Sequence, residues 1–246
     1  MRKPELSWYP CITGSKAIKS IYVAVTRKGI IWLWEPGSLI TFNMDWDSFK
    51  AVPREHANRA ITSLEKAAWM WNKGKLAVQF KRVADNEPAV FQLTYYACCP
   101  DGSECLAESF FPGNHPSTQK LYVYGLSFEG TNYNHMENIF CHELGHILGI
   151  RHEFAQEDRE EKKHLSVLIG KPNVLSVMNY FGDLSQLRIQ ETDYESVRKL
   201  YKSHNHEVCG YKIMYKSPKR FAPRNDPKAA GILRSLWGFL FPKNLD

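Results

Sequence analysis

The sequence predicts an α+β fold, and three observations carry that expectation. Short β-rich runs fill the first half of the chain. A helical pattern at Pro53 to Asn72 interrupts them, and two more helical patterns follow, separated by a loop-rich stretch. The order gives a sheet-containing N-terminal half with two helices, up to about residue 149, and a loop-rich subdomain with one helix over 150–210. Residues 1–210 are expected to form a single domain and residues 211–246 a basic, proline-containing tail.

The elements follow in order. Ile18 to Thr26 and Gly29 to Trp34 are β-rich runs divided by Arg27, Lys28 and Gly29. In Pro53 to Asn72, Ala57, Ile61, Leu64, Ala68 and Trp71 recur at spacings of three and four, and Gly74 ends the pattern. Ala77 to Val83 and Ala89 to Ala97 read as strands on either side of Asp85-Asn86-Glu87-Pro88. Leu106 to Phe111 and Leu121 to Phe128 are the last strand candidates, with Pro112-Gly113-Asn114 between them. A second helix covers about Asn134 to Leu148, with Asn132 or Asn134 as cap and Gly149 as terminator. A third covers Asp193 to Tyr201 behind Thr192, with Val197, Leu200 and Tyr201 on one stripe.

Composition narrows the function classes. With 246 residues, 43% of them hydrophobic and 24% charged, the chain can bury a substantial core, which excludes disordered, collagenous and coiled-coil classes. No run of about 18 apolar residues offers a membrane span. The opening Met1 to Trp8 lacks the apolar stretch of a signal peptide. At face value the chain stays inside the cell, although replacement of a leader by a start Met would leave the same sequence. The net charge of +6 suggests an anionic partner until it is located. From Tyr211 onward eight Lys or Arg face two acids, so the first 210 residues are close to neutral. The expectation is no nucleic-acid partner, a monomer, and a solvated tail. The apolar stretch Ile232 to Phe241 in that tail docks on the domain or touches a membrane surface.

The most informative segment is His142 to Glu153, HELGHILGIRHE. His142 and His146, at i and i+4, project from one helix face and can converge on a single Zn2+, with Glu143 between them placed as general base. Gly149 can take a positive φ and turn the chain back, so that His152 supplies a third nitrogen. Three imidazoles leave a fourth position open, which marks a catalytic rather than a structural zinc. Two histidines four apart can arise by accident in a chain with nine, but five specified positions at fixed spacing cannot readily do so. Downstream, Ser176-Val177-Met178-Asn179-Tyr180 stands where a tight turn can pass beneath the metal.

Together these residues resemble the metzincin clan of zinc metalloproteases, whose long zinc motif is followed by a methionine-containing turn. Glu153 after the third histidine, the Asp158-Arg159 pair and Tyr180 at the end of the turn are most similar to astacins, although Gln156 and Asn179 depart from that family's pattern. Leu106 to Gly113 and the Leu144-Gly145 pair resemble matrixins instead. The resemblance implies a metzincin fold and a zinc-dependent endopeptidase acting on protein or peptide substrates. It also implies that Tyr180 ligates zinc at rest and later donates to the oxyanion, and that Met178 is a hydrophobic floor under the imidazoles. Substrate would then lie along an edge strand containing Leu106, Ala107, Glu108 and Ser109, with a specificity pocket near Tyr180 to Gly182. Glu153 would pair with a buried chain terminus or a basic side chain, the alternative being an exposed carboxylate.

Several alternatives stay open. A protein of this fold that binds zinc and partners without catalysis is the competing class, and hydrolysis of a non-peptide amide is a third. His204 and His206 form an HxH that suits a second metal or a solvated loop. Among the six cysteines, Cys98, Cys99 and Cys105 lie close in sequence, Cys11 and Cys209 lie near the ends, and Cys141 adjoins His142. A local bridge to Cys105, a staple between Cys11 and Cys209, a latency thiolate at Cys11 and buried thiols are all compatible with that spacing.

Overall fold

The structure, a computed structural model, describes residues 22–26, 28–100, 102–153, 165–169, 173–202 and 206–220. Ile18 to Ile21, Cys11, the Phe154 to Glu160 stretch with Asp158 and Arg159, His204 and Ile232 to Phe241 lie outside them.

A five-stranded mixed sheet organises the described chain. Its strands are β3 (Leu39–Met44), β4 (Gln79–Arg82), β5 (Phe91–Tyr96), β6 (Ala107–Glu108) and β7 (Lys120–Tyr124), in the order β4-β3-β5-β7-β6. The first four in that order pair in parallel, and β6 alone runs antiparallel, against β7 at the edge. Two smaller sheets complete the β-structure. In one, β1 (Tyr22–Ala24) lies between β8 (Ile150–Arg151) and β9 (Ser166–Leu168). In the other, β11 (Tyr211–Lys216) lies between β2 (Ile30–Trp34) and β10 (Glu207–Val208).

The α+β expectation agrees with this architecture, but β3 is absent from the sequence reading. Its residues LITFNM are buried on both faces, so the alternation that identifies a half-exposed strand never appears. Thr41 and Asn43 make it look still less like a core strand, yet both are satisfied inside the protein. The Val90 N–H reaches Thr41 Oγ1 at 3.2 Å, and Asn43 Nδ2 donates to the Glu87 carbonyl at 2.8 Å. A second departure concerns the expected tail. Residues 211–216 form β11, which pairs in parallel with β2 from Ile30 to Trp34, so the fold continues past 210. Cys209 and Gly210, at φ of 50° and 81°, make the tight turn from β10 into β11, with both central residues in the left-handed region that such hairpins use.

Helix α1 (Arg54–Lys73) matches the predicted periodicity: Ala57, Ile61, Leu64, Ala68 and Trp71 are all buried. It crosses from β3 to the parallel β4 and packs on α2 (Met136–Ile147). The start of α2 differs from expectation. Asn132 to His135 form a 3-10 turn first, and Asn132 donates its amide to the Leu126 carbonyl at 3.1 Å instead of capping the helix. Helix α3 (Glu191–Tyr201) starts two residues earlier than predicted. Thr192 is not its cap: the carboxylate of Asp193 accepts the Gln190 N–H at 2.7 Å, while Thr192 Oγ1 accepts from Asn173.

Most buried side chains join one core, in which Trp34, Trp71, Phe42, Phe91 and Phe140 are the largest fully enclosed members. Among the described residues no helix is long and apolar enough to cross a membrane.

Candidate metal centre

Three side chains grip α2 and its C-cap through the backbone. Trp71 on α1 donates its indole N–H to the Cys141 carbonyl at 2.8 Å, and Trp34 on β2 donates to the Ile147 carbonyl at 2.7 Å. The Tyr201 hydroxyl donates to the Leu148 carbonyl at 3.1 Å. The last carbonyls of a helix have no partner within it, so Trp34 and Tyr201 serve as a cap supplied by distant chain. Gly149 then takes φ of +98° and reverses the chain into β8. A Cβ at that position would stand 3.1 Å from Leu33, so packing and backbone conformation both favour glycine there.

That reversal brings His152 back over the helix. One nitrogen from each of His142, His146 and His152 lies within 4.8 Å of the others, and all three side chains are buried. His142 Nε2 and His152 Nε2 are 3.1 Å apart. Two nitrogens on one tetrahedral zinc stand about 3.3 Å apart, so this spacing suits a shared ion. The opposite ring nitrogens are held by backbone. His142 Nδ1 meets the Val177 carbonyl at 2.8 Å and His146 Nδ1 the Ile150 carbonyl at 2.9 Å. A proton held at Nδ1 leaves the Nε2 lone pair facing the centre. Burial pushes the His142 imidazole down to about 4 and the other two well below the ordinary histidine value, so all three are neutral donors at neutral pH. The donor set fits zinc: three nitrogen ligands with room for a fourth.

The predicted turn packs against the histidine helix. Met178 is fully buried and its sulfur packs against Gly145, where a Cβ would overlap it. The turn is held by Asp193, a residue the sequence reading passed over. Ser176 Oγ donates to Asp193 Oδ1 at 2.6 Å, the Val177 N–H donates to Oδ2 at 3.1 Å, and the Met178 N–H donates to Ser176 Oγ at 3.0 Å. Since the Val177 carbonyl holds His142, Asp193 orients a ligand through one intervening residue. No sequence signal marked it: an acid in the first turn of a helix is ordinarily exposed, and only the folded chain shows Asp193 fully buried.

Tyr180 is half-buried at the rim, with its hydroxyl 3.3 Å from His152 Nε2. Glu143 is buried, and it lines one cleft together with His142, Tyr180, Leu106 and Ala107. Ile139, Asn179, Phe181, Leu184 and Leu187 also line that cleft, extending the pocket expected near Tyr180 to Gly182 toward residues with no motif to announce them.

Other predicted residues are placed differently. The edge strand is only Ala107–Glu108; Leu106 and Ser109 flank it, and Ser109 is buried with its hydroxyl donating to the Glu143 carbonyl at 2.9 Å. Glu108 accepts a hydrogen bond from the Tyr124 hydroxyl at 2.8 Å. Glu153 is buried, not exposed, and its Oε1 accepts the Asn173 N–H at 2.6 Å. Among the described residues no basic side chain pairs with it. His206 is exposed, with its ring 5.7 Å from that of Tyr215, and among the described residues the three-histidine group is the only cluster suited to a metal. Cys98, Cys99, Cys105, Cys141 and Cys209 carry thiols, and Cys141 belongs to the main core.

A mixed sheet, a histidine helix and a third imidazole returned by a glycine turn define a site of the zinc metallopeptidase class, and the cofactor is one zinc ion. Residues 48–157, which include α2 and all three histidines, match a family described as dual-action HEIGH metallo-peptidase. That match and the histidine cluster together support a zinc metallopeptidase. No curated protein matches the chain. Among solved structures, a chain of the GM1 bound form of the ECX AB5 holotoxin aligns at 14% identity and a TM-score of 0.45, over 74% of this chain and 88% of that one.

Proposed function

We propose that this chain is an endopeptidase of metzincin type that uses Glu143 as general base and Tyr180 as an oxyanion donor. The observation that supports this reading is the sharing of one cleft by His142, Glu143 and Tyr180, with the Tyr180 hydroxyl 3.3 Å from His152 Nε2. Zinc held by His142, His146 and His152 supplies a Lewis acid that polarises a carbonyl and makes water acidic enough to attack at neutral pH.

The protein contributes the remaining steps. Glu143, on the same helix turn as His142, takes the proton from the attacking water and returns it to the leaving amine. Tyr180 donates its phenolic hydrogen to the oxygen that becomes negative in the tetrahedral state, an interaction stronger in the transition state than in the ground state. An extended peptide adds as a further strand along β6, the edge of the five-stranded sheet, and places one side chain in the apolar wall of Ile139, Phe181, Leu184 and Leu187. The substrate class is therefore protein or peptide with an apolar residue next to the cleaved bond. The likeness to astacins over matrixins rests on Glu153 and Tyr180.

Incubation of zinc-loaded protein with a peptide library, read by mass spectrometry, tests this reading. Internal cleavage beside apolar residues is expected, abolished by a chelator and by Glu143→Ala. Cleavage that persists in Glu143→Ala overturns the assigned base, and release of terminal residues alone overturns the endopeptidase reading. No cleavage of any peptide favours a zinc-dependent binding role.

A further inference from the structure

A second, smaller cluster lies outside the main core on the β6 and β7 side of the sheet. Cys99, Cys105 and Tyr124 are each 2–3% exposed and pack together, with Tyr122 against them. The chain between the two cysteines is exposed at Pro100, Gly102, Ser103 and Glu104. It turns back on itself at Gly102, whose N–H donates to the Cys99 carbonyl at 3.1 Å and whose φ is +77°. Ser103 Oγ stands 3.3 Å from Cys99 Sγ. This reversal returns Cys105 to the cluster that Cys99 occupies, where both pack with Tyr124.

The other cysteines are placed apart. Cys98 is exposed, Cys209 is exposed at the β10–β11 turn, and Cys141 is in the main core with its sulfur 3.9 Å from Met70 Sδ. Among the described residues, Cys99 and Cys105 are the one pair of cysteines that shares a packed cluster.

We propose that Cys99 and Cys105 form a disulfide on oxidation and that the bond clamps the loop in front of β6. The oxidant is a small-molecule disulfide. The thiolate of one cysteine attacks it, forming a mixed disulfide and releasing one thiolate. The second cysteine then attacks the mixed disulfide at the protein sulfur, closing the Cys99–Cys105 bond and releasing the second. The protein loses two electrons and two protons, and the oxidant is reduced to two thiols. Exposed loop residues on both sides of Gly102 give the small disulfide access when the loop opens.

The clamp acts on the rim of the cleft. Cys105 directly precedes Leu106, which lines the cleft, and Glu108 on β6 is held by Tyr124 from the same cluster. Closing the loop restricts the opening of this strand edge. The pairing stands whether or not the site cleaves peptides, because neither cysteine belongs to the metal centre.

The full chain is treated with oxidised glutathione, quenched with an alkylating agent, digested and mapped by mass spectrometry. A linked peptide pair joining Cys99 to Cys105, lighter by two hydrogens and lost on treatment with dithiothreitol, is expected. Linkage of Cys98 to either residue, a persistent glutathione adduct on Cys99 or Cys105, or alkylation of both after oxidation overturns the proposal. Hydrogen exchange over Leu106 to Ser109 is a second readout. Oxidation slows it about tenfold in the unaltered chain and leaves it unchanged in Cys105→Ser. Equal slowing in that variant overturns the clamp. The mapping on the unaltered chain keeps the pairing testable if the variant folds poorly.

Discussion

Gly145 and Met178 share one space: the methionine sulfur occupies the place where any side chain at 145 would begin. Position 145 is in the last turn of the histidine helix, and Met178 is in the turn whose neighbouring carbonyl holds His142. Glycine in a helix interior ordinarily weakens it by about 1 kcal/mol relative to alanine, so its presence here reflects this close approach. Gly145→Ala therefore destabilises the fold by about 1–3 kcal/mol through overpacking, despite alanine's better helix propensity. Urea denaturation measures the loss, and a stabilised variant would contradict the packing argument.

Asp193 ties α3 to the same turn. Asp193→Asn leaves one of the Val177 and Ser176 donors without its acceptor, at a cost of about 1–3 kcal/mol, and weakens zinc binding because the Val177 carbonyl loses its position. Isothermal titration with zinc separates the two effects.

Burial raises the Asp193 carboxyl above its ordinary 3.8, against the hydrogen bonds that lower it. The folded state therefore holds a proton that the unfolded state releases between the two values. The resulting contribution to stability is complete below about 3.8 and is lost as pH rises through the folded value. Melting temperature followed from acid toward neutral pH should show a decline across that window that is flatter in Asp193→Asn than in the unaltered chain.

Removal of zinc lowers stability as well as activity. A ligand that binds only the folded state stabilises it by about 4 kcal/mol when its free concentration is a thousandfold above Kd. A chelator should lower the melting temperature of the loaded protein and leave that of His146→Ala nearly unchanged, as scanning calorimetry would record.

Glu143→Gln keeps the size of the side chain and removes its basicity. Cleavage should fall by about 100-fold to 10,000-fold, with zinc content by atomic absorption unchanged. A parallel loss of zinc would show that Glu143 supports the ligands instead of moving a proton.

How far the sequence could be read follows from the kind of signal each element carries. Helix α1 was legible because one face is buried and the other wet, which writes its periodicity into the residues. The metal ligands were legible because a helix projects positions i and i+4 to one side whatever surrounds it. The buried β3 had no such contrast, and β11 was obscured because its pairing partner β2 lies far away along the chain. Asp193, Leu184 and Leu187 were not recognised for the site, since an acid near a helix start and leucines in a loop are commonplace until the chain is folded.

The sequence by itself determined the donor set, the glycine that reverses the chain toward His152 and the class of metal those donors suit, because these depend on local geometry and ligand chemistry. Tertiary structure alone decided that Asp193 should hold the turn, that Trp34 and Tyr201 should cap the histidine helix, and that the chain after 210 should complete a sheet. Each of those contacts joins residues far apart in the chain, and no local preference specifies which distant group will arrive.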